Sequence, residues 1–228
     1  MKKALSSLLA FICLLSLTSA QGLQTPRTSK KASVCESIGM SKICVDYSRP
    51  GVKGRDGKVY GNGNLVPYDG GKPMPWRAGA DENTVIYFAN DVKLNGNPLP
   101  AGKYGFHIIP EETQWTLIFS KDYNSWGSYF YNPANDALRF VVKPETVDFT
   151  EWLTYEFVNQ TDKSADLRMR WERKGITFLV ETDVYANTVA SIEKQLQGSL
   201  GFDTDAHTQA AQYVVQNGNG KDLDKALA

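Results

Sequence analysis

Apolar and polar residues alternate with a period of two along most of this chain. Between residues 103 and 109, Tyr104, Phe106 and Ile108 alternate with Gly105 and His107. That period sends successive side chains to opposite faces of a strand, so one face packs and the other meets solvent. The pattern recurs over residues 152–158. Over 166–172 it puts Leu167, Met169 and Trp171 on one face and Arg168, Arg170 and Glu172 on the other. Runs of β-branched and aromatic residues add strands over 83–89, 92–94, 115–119 and 138–142, and Gly175 opens a last one over 176–182. Asn95-Gly96, the Pro-Leu-Pro-Ala-Gly run at 98–102 and Pro144 read as turns between them. About ten short strands with no helix among them predict a mainly β domain, an antiparallel β-sandwich or jelly roll.

The period changes at Asp183. Tyr185, Val189, Ile192 and Leu196 recur at helical spacing, Gly198 and Gly201 interrupt them, and residues 205–216 resume the pattern up to Asn217-Gly218. A short C-terminal α-helical hairpin is predicted, and residues 222–228 would begin a third helix. The organisation expected is a leader over 1–20, the β-sandwich over 21–183 and a helical tail over 184–228.

The leader follows from charge and size. Lys2 and Lys3 precede an apolar run over 5–17, and Thr18-Ser19-Ala20 offers small residues for cleavage, the layout of a secretory signal peptide. The run is shorter than the roughly 20 residues that cross a bilayer, so no membrane span is expected after cleavage. Cys13 lacks the small preceding residue of a lipidation site. The expected location is the periplasm or the cell exterior. There a disulfide persists, and two cysteines, Cys35 and Cys44, remain. Strands over 32–38 and 42–47 flank Gly39-Met40, a two-residue turn with glycine in first position. Ile38 then faces Ser41, and counting back pairs Cys35 with Cys44 at a non-hydrogen-bonded site, where side chains approach closely. A disulfide is predicted.

Lys and Arg number 25, as do Asp and Glu, for a net charge of 0. That balance gives no basic surface for nucleic acid or an anionic membrane. The two histidines, His107 and His207, are far apart in sequence, and with the cysteines paired no metal-ligand set is expected, nor any cofactor. No glycine-rich phosphate loop or nucleophile elbow is present. His107, on the polar face of its strand, is expected to be hydrogen-bonded or solvated.

Residues 46–84 have neither period. The stretch contains Asp46-Tyr47-Ser48-Arg49-Pro50, Val52-Lys53-Gly54-Arg55, Leu65-Val66-Pro67-Tyr68 and, over 76–84, Trp-Arg-Ala-Gly-Ala-Asp-Glu-Asn-Thr. With Leu99-Pro100-Ala101-Gly102-Lys103-Tyr104 and Trp115-Thr116-Leu117-Ile118-Phe119, these motifs resemble the DUF2911 family over roughly residues 25–182. The resemblance implies an exported bacterial protein and carries no activity with it.

The loop residues therefore have to be read for themselves. Arg49, Arg55 and Arg77 offer guanidinium forks for a carboxylate, a phosphate or sugar hydroxyls. Tyr68 and Trp76 would wall such a pocket, and Asp81 and Glu82 stand beside Arg77. The same residues suit an arginine–carboxylate network that pins a long loop to the sheet, and an irregular loop of this length needs such ties. The aromatic stretch at 123–135, with Trp126, Tyr129, Phe130 and Tyr131, is expected to cap the open end of the core rather than to stack on sugars. The leading expectation is a non-catalytic binding module whose loop takes a small anionic, glycan or peptide ligand. Its rivals are a glycan- or peptidoglycan-directed hydrolase using Asp81 or Glu82, and a protein-docking module working through Val189, Ile192 and Leu196 of the tail.

Overall fold

The first hairpin is built by its turn. Gly39 has φ +56°, which glycine adopts without strain. Strand β1 (Lys30–Ile38) then pairs with β2 (Ser41–Arg49) from Ile38 opposite Ser41 to Lys30 opposite Arg49. Cys35 faces Cys44 in that register and the two are joined, with Cα atoms 4.1 Å apart. These contacts come from a computed structural model that describes residues 25–218. The expected signal peptide and the third helix expected over 222–228 lie outside those residues.

Beyond the hairpin, the long loop carries two two-residue strands, β3 (Tyr68–Asp69) and β4 (Lys72–Pro73). Then come β5 (Thr84–Phe88), β6 (Val92–Leu94), β7 (Asn97–Leu99), β8 (Gly102–Pro110), β9 (Trp115–Ser120), β10 (Asp136–Val142), β11 (Glu145–Val158) and β12 (Ser164–Thr182). A six-stranded antiparallel sheet runs β1-β2-β5-β8-β9-β10 and a four-stranded one runs β11-β12-β6-β7. The sheets meet through aromatic side chains. Phe178 of β12 lies 6.0 Å from Phe106 and 5.9 Å from Phe119, ring centre to ring centre. Each such buried ring contributes about 1.5–3 kcal/mol over an exposed one. The mainly β, sandwich-like fold expected from the alternation is the fold observed.

Two local expectations are corrected. The last two strands are one: β12 runs unbroken past Gly175, while β11 absorbs the irregularity through register shifts between Thr146 and Thr154. Pro98 and Leu99, read as part of a turn, belong to β7 (Asn97–Leu99), and Pro98 is tolerated because β7 is the last strand of its sheet. On the outer face of β8, His107 is 2% exposed, and of the two environments expected for it the hydrogen-bonded one holds, because residues 121–135 lie over it. A Cβ on Gly105 would come within 2.5 Å of the Asp122 carbonyl oxygen. The aromatic stretch thus covers a sheet face. His107 Nδ1 lies 3.3 Å from Ser128 Oγ. Burial pushes the imidazole down to about 4, Arg77 reinforces the shift, and Asp136 and Asp122 oppose it.

Asp183 caps helix α1 (Val184–Leu196) by accepting from the Ala186 N–H at 3.0 Å. Helix α2 (Thr204–Asn217) follows. Asn187 ties α1 to the sandwich, donating to Ser41 Oγ and Thr182 Oγ1 at 3.0 and 2.7 Å. Tyr185 and Tyr213 stack between the helices at 6.2 Å. Along the stripe proposed for docking, Val189 is buried, and Ile192 and Leu196 are half-buried.

Candidate functional site

The chain leaves β2 at Arg49, which crosses to the second sheet. Its Nε donates to the Leu153 carbonyl at 2.8 Å and Nη2 to Thr154 Oγ1 at 2.7 Å. Backbone bonds from Val52 N–H to Glu151 O and from Leu153 N–H to Pro50 O, at 2.8 and 3.0 Å, continue the tie to β11. Arg55 turns back on its own segment and donates to the carbonyls of Val52 and Gly51, both at 2.8 Å. The loop returns at Trp76. Its N–H and C=O exchange two 2.8 Å bonds with Ile108 of β8, in the space beyond the start of β5. Trp76 Nε1 donates to Gly79 O at 3.0 Å, and Ala78 O accepts from Thr84 Oγ1 and the Tyr155 hydroxyl. An irregular segment can be buried only when its peptide groups find partners in this way.

Between the two ends of the loop a cleft of about 720 Å³ opens. Trp76 and Trp171 form its buried wall, stacked at 5.6 Å with 22° between planes, and Tyr60 sits edge-on to both. Trp126 and Tyr129, 50% and 80% exposed, stand at the opposite rim. Lys53, Arg55 and Arg77 line the cleft, and none of the three makes an ion pair among the described residues. The Arg77 guanidinium is held in place. It donates to the Asp81 carbonyl, lies 5.7 Å from the Tyr129 ring centre, and presses on Gly127, where a Cβ would come within 2.1 Å of Cζ. Two buried donors nearby, Trp171 Nε1 and the Tyr60 hydroxyl, have no hydrogen-bond partner among the described residues.

Acids are scarce here. Asp81 is the one carboxylate of the lining, and it lies 3.9 Å from Arg27. Glu82 is outside the lining and takes both terminal nitrogens of Arg27 at 2.7 and 2.6 Å, with Lys31 Nζ at 3.4 Å. The Arg27 hydrogen bonds hold the Glu82 carboxyl down to about 2. This fork also fixes the lead-in, so that Thr28 and Ser29 border the cleft.

Of the seven residues proposed from sequence, Arg55, Trp76, Arg77 and Asp81 meet at the cleft. Arg49 ties the sheets together, Glu82 holds Arg27, and the Tyr68 hydroxyl reaches the Pro110 carbonyl at 3.4 Å. Lys53, Trp126, Ser128, Tyr129 and Trp171 join the site unforeseen. Trp126 and Tyr129 carried a signal in the aromatic stretch; Trp171 looked like any core residue. A second hollow of about 490 Å³ lies between β6, β7 and the start of α1, with Lys93, Lys163, Asp91 and Glu181 mixing charge along it.

A family model described as a protein of unknown function matches residues 29–180, two-thirds of the chain. The chain belongs to the DUF2911 family. No curated protein and no solved structure matches it. The DUF2911 region takes in both sheets and the whole 46–84 loop, and it stops short of α1 and α2. The cleft is therefore built almost wholly from the family's own region, Thr28 alone of its lining preceding the match.

Proposed function

We propose that this DUF2911 protein is a non-catalytic, exported binding module that holds a small acidic ligand, whether a free anion, an acidic glycan or an acidic peptide, in the cleft of its 46–84 loop. The observation that carries the reading is the charge of the lining: Lys53, Arg55 and Arg77 converge without ion pairs against one acid, Asp81. Cations with no acid partner among the described residues, beside an apolar wall, are well suited to a carboxylate or phosphate through the N–H groups not already given to backbone carbonyls, because charge-assisted bonds are stronger where water is partly excluded. The geometry supports binding over glycan hydrolysis. A glycosidase needs a protonated acid and a second carboxylate across the bond, whereas Glu82 is ionised against Arg27 and Asp81 stands alone in the lining.

The Ser128–His107 contact favours a second reading, a serine nucleophile with a histidine base. The depressed basicity of His107 weighs against it, because an imidazole near 4 removes a hydroxyl proton poorly. Fluorophosphonate labelling of Ser128 would establish that reading; no labelling is expected. Export is supported by the leader-like residues 1–20 and by a disulfide that fits an oxidising compartment. No helix among the described residues is long and apolar enough to cross a membrane. The tail gives less support to docking, since Val189 is already buried.

Calorimetric titration tests the proposal, with citrate, inorganic phosphate, a galacturonate tetramer and an acidic tetrapeptide as probes. At least one should bind, more weakly as salt is raised, and Arg77→Ala should lose that binding while melting normally. Silence from every probe, or undiminished binding by Arg77→Ala, would overturn it.

A further inference from the structure

We infer that the ligand class is an acidic oligosaccharide, with a carboxylate on the Arg77 guanidinium and sugar rings laid on Trp126 and Tyr129. This rests on the acidic-ligand reading above and narrows it. The cleft, at about 720 Å³, lies in the range that encloses most of a drug-sized molecule, and a free phosphate or citrate would leave most of it filled with water. The rim aromatics Trp126 and Tyr129 are 50% and 80% exposed, with Arg77 over one face of Tyr129, whereas Trp76 and Trp171 stack on each other and leave no slot for a flat aryl group or base between them. A single open ring face attracts the polarised C–H bonds of a pyranose through its negative quadrupole.

The hydrogen-bonding groups point the same way. The described lining carries three cations, Lys53, Arg55 and Arg77, with Asp81 as its one carboxylate. A neutral glycan brings mostly hydroxyls, which need acceptors as well as donors. A glycan bearing carboxylates brings acceptors in excess. Arg77 belongs to one turn of the loop, and Lys53 and Arg55 to another, so a ligand whose charge repeats along its length engages both. A peptide bound by strand addition would need free backbone groups on a sheet edge. At this place the edge of β8 is already taken by Trp76.

Titrations on the whole mature protein test the class, with a galacturonate tetramer, the monomer, a neutral glucose tetramer, inorganic phosphate and an acidic tetrapeptide as probes. The charged tetramer should bind best, about tenfold or more above the neutral one. Trp126→Ala should weaken the tetramer by about 2- to 10-fold and leave phosphate unaffected. Arg77→Lys, which keeps the charge and loses the fork, should weaken the tetramer while Tm stays unchanged. If phosphate or the peptide binds as tightly as the charged tetramer, or if the neutral tetramer equals it, the class is wrong. In the phosphate and peptide cases the acidic cleft still stands. If no acid binds, the underlying reading falls and this inference falls with it.

Discussion

Adding a single methyl group at Gly127 shows whether the site depends on where the Arg77 guanidinium is held. Gly127 has φ +63°, and a Cβ there would lie 2.1 Å from Arg77 Cζ and 2.4 Å from Nε and Nη1. Those atoms are the rigid head of the side chain, so the guanidinium must leave its seat against Asp81 O and Tyr129. The backbone effect is separate. An L-residue forced into the left-handed region costs about 1–2 kcal/mol, or about 2–8 °C in Tm for a chain of this size. Losing the guanidinium from an acidic ligand removes a charge-assisted hydrogen bond worth about 1.5–3 kcal/mol, which weakens Kd by about 10- to 150-fold. Gly63→Ala is the control, because Gly63 has φ +79° and an added methyl there would meet no atom within 4 Å. Calorimetric melting and titration with the tightest-binding acid read the two effects. Both variants should melt lower by similar amounts, and Gly127→Ala alone should lose affinity. Equal affinity losses in both, or none in Gly127→Ala, would refute the reasoning.

Arg49→Ala should lower stability by about 2–4 kcal/mol, since it removes two charge-assisted bonds between the sheets and leaves the Leu153 carbonyl short of a partner; titration should find ligand affinity unchanged. Replacing Cys35 and Cys44 together by serine opens a loop of sequence separation 9 and should cost about 2–3 kcal/mol in denaturant unfolding, with mass spectrometry of the native protein finding no free thiol. The Arg27–Glu82 tie has a definite pH sense. Glu82 is held below its ordinary range, to about 2, so its stabilisation is complete above about 4.5 and fades as pH falls toward 2. NMR titration of the Glu82 carboxyl should give a midpoint near 2; Glu82→Gln should abolish the dependence, and solvent screening keeps its size small.

The fold was legible wherever one local rule decided the geometry. A glycine-led two-residue turn fixes the register of β1 on β2, so the Cys35–Cys44 pairing followed by counting. The period of two placed Leu167, Met169 and Trp171 inward, and all three are buried. The burial of His107 was not legible because alternation says which residues share a face and not what covers that face. The cover is residues 121–135, which reach β8 because Gly105 has no side chain to block Asp122. The site divides on the same line. Arg55, Trp76, Arg77 and Asp81 lie within one stretch of sequence, so their proximity could be read directly. Trp126, Tyr129 and Trp171 arrive from the covering segment and from β12, brought in by tertiary packing that no local pattern encodes. Arg49 and Arg77 look alike in sequence. They differ because Arg49 meets Leu153 and Thr154 across the sheets, while Arg77 is seated on Asp81 O, Tyr129 and Gly127 in the lining of the cleft.

Whether ligand binds in the cleft of the 46–84 loop is decided by hydrogen exchange with and without the tightest-binding acid probe. At saturation, slowed exchange is expected to concentrate in residues 51–55, 76–81 and 126–129, with the helical tail unchanged. Protection confined to residues 184–217, or no change in the loop while the probe is bound, would contradict binding there.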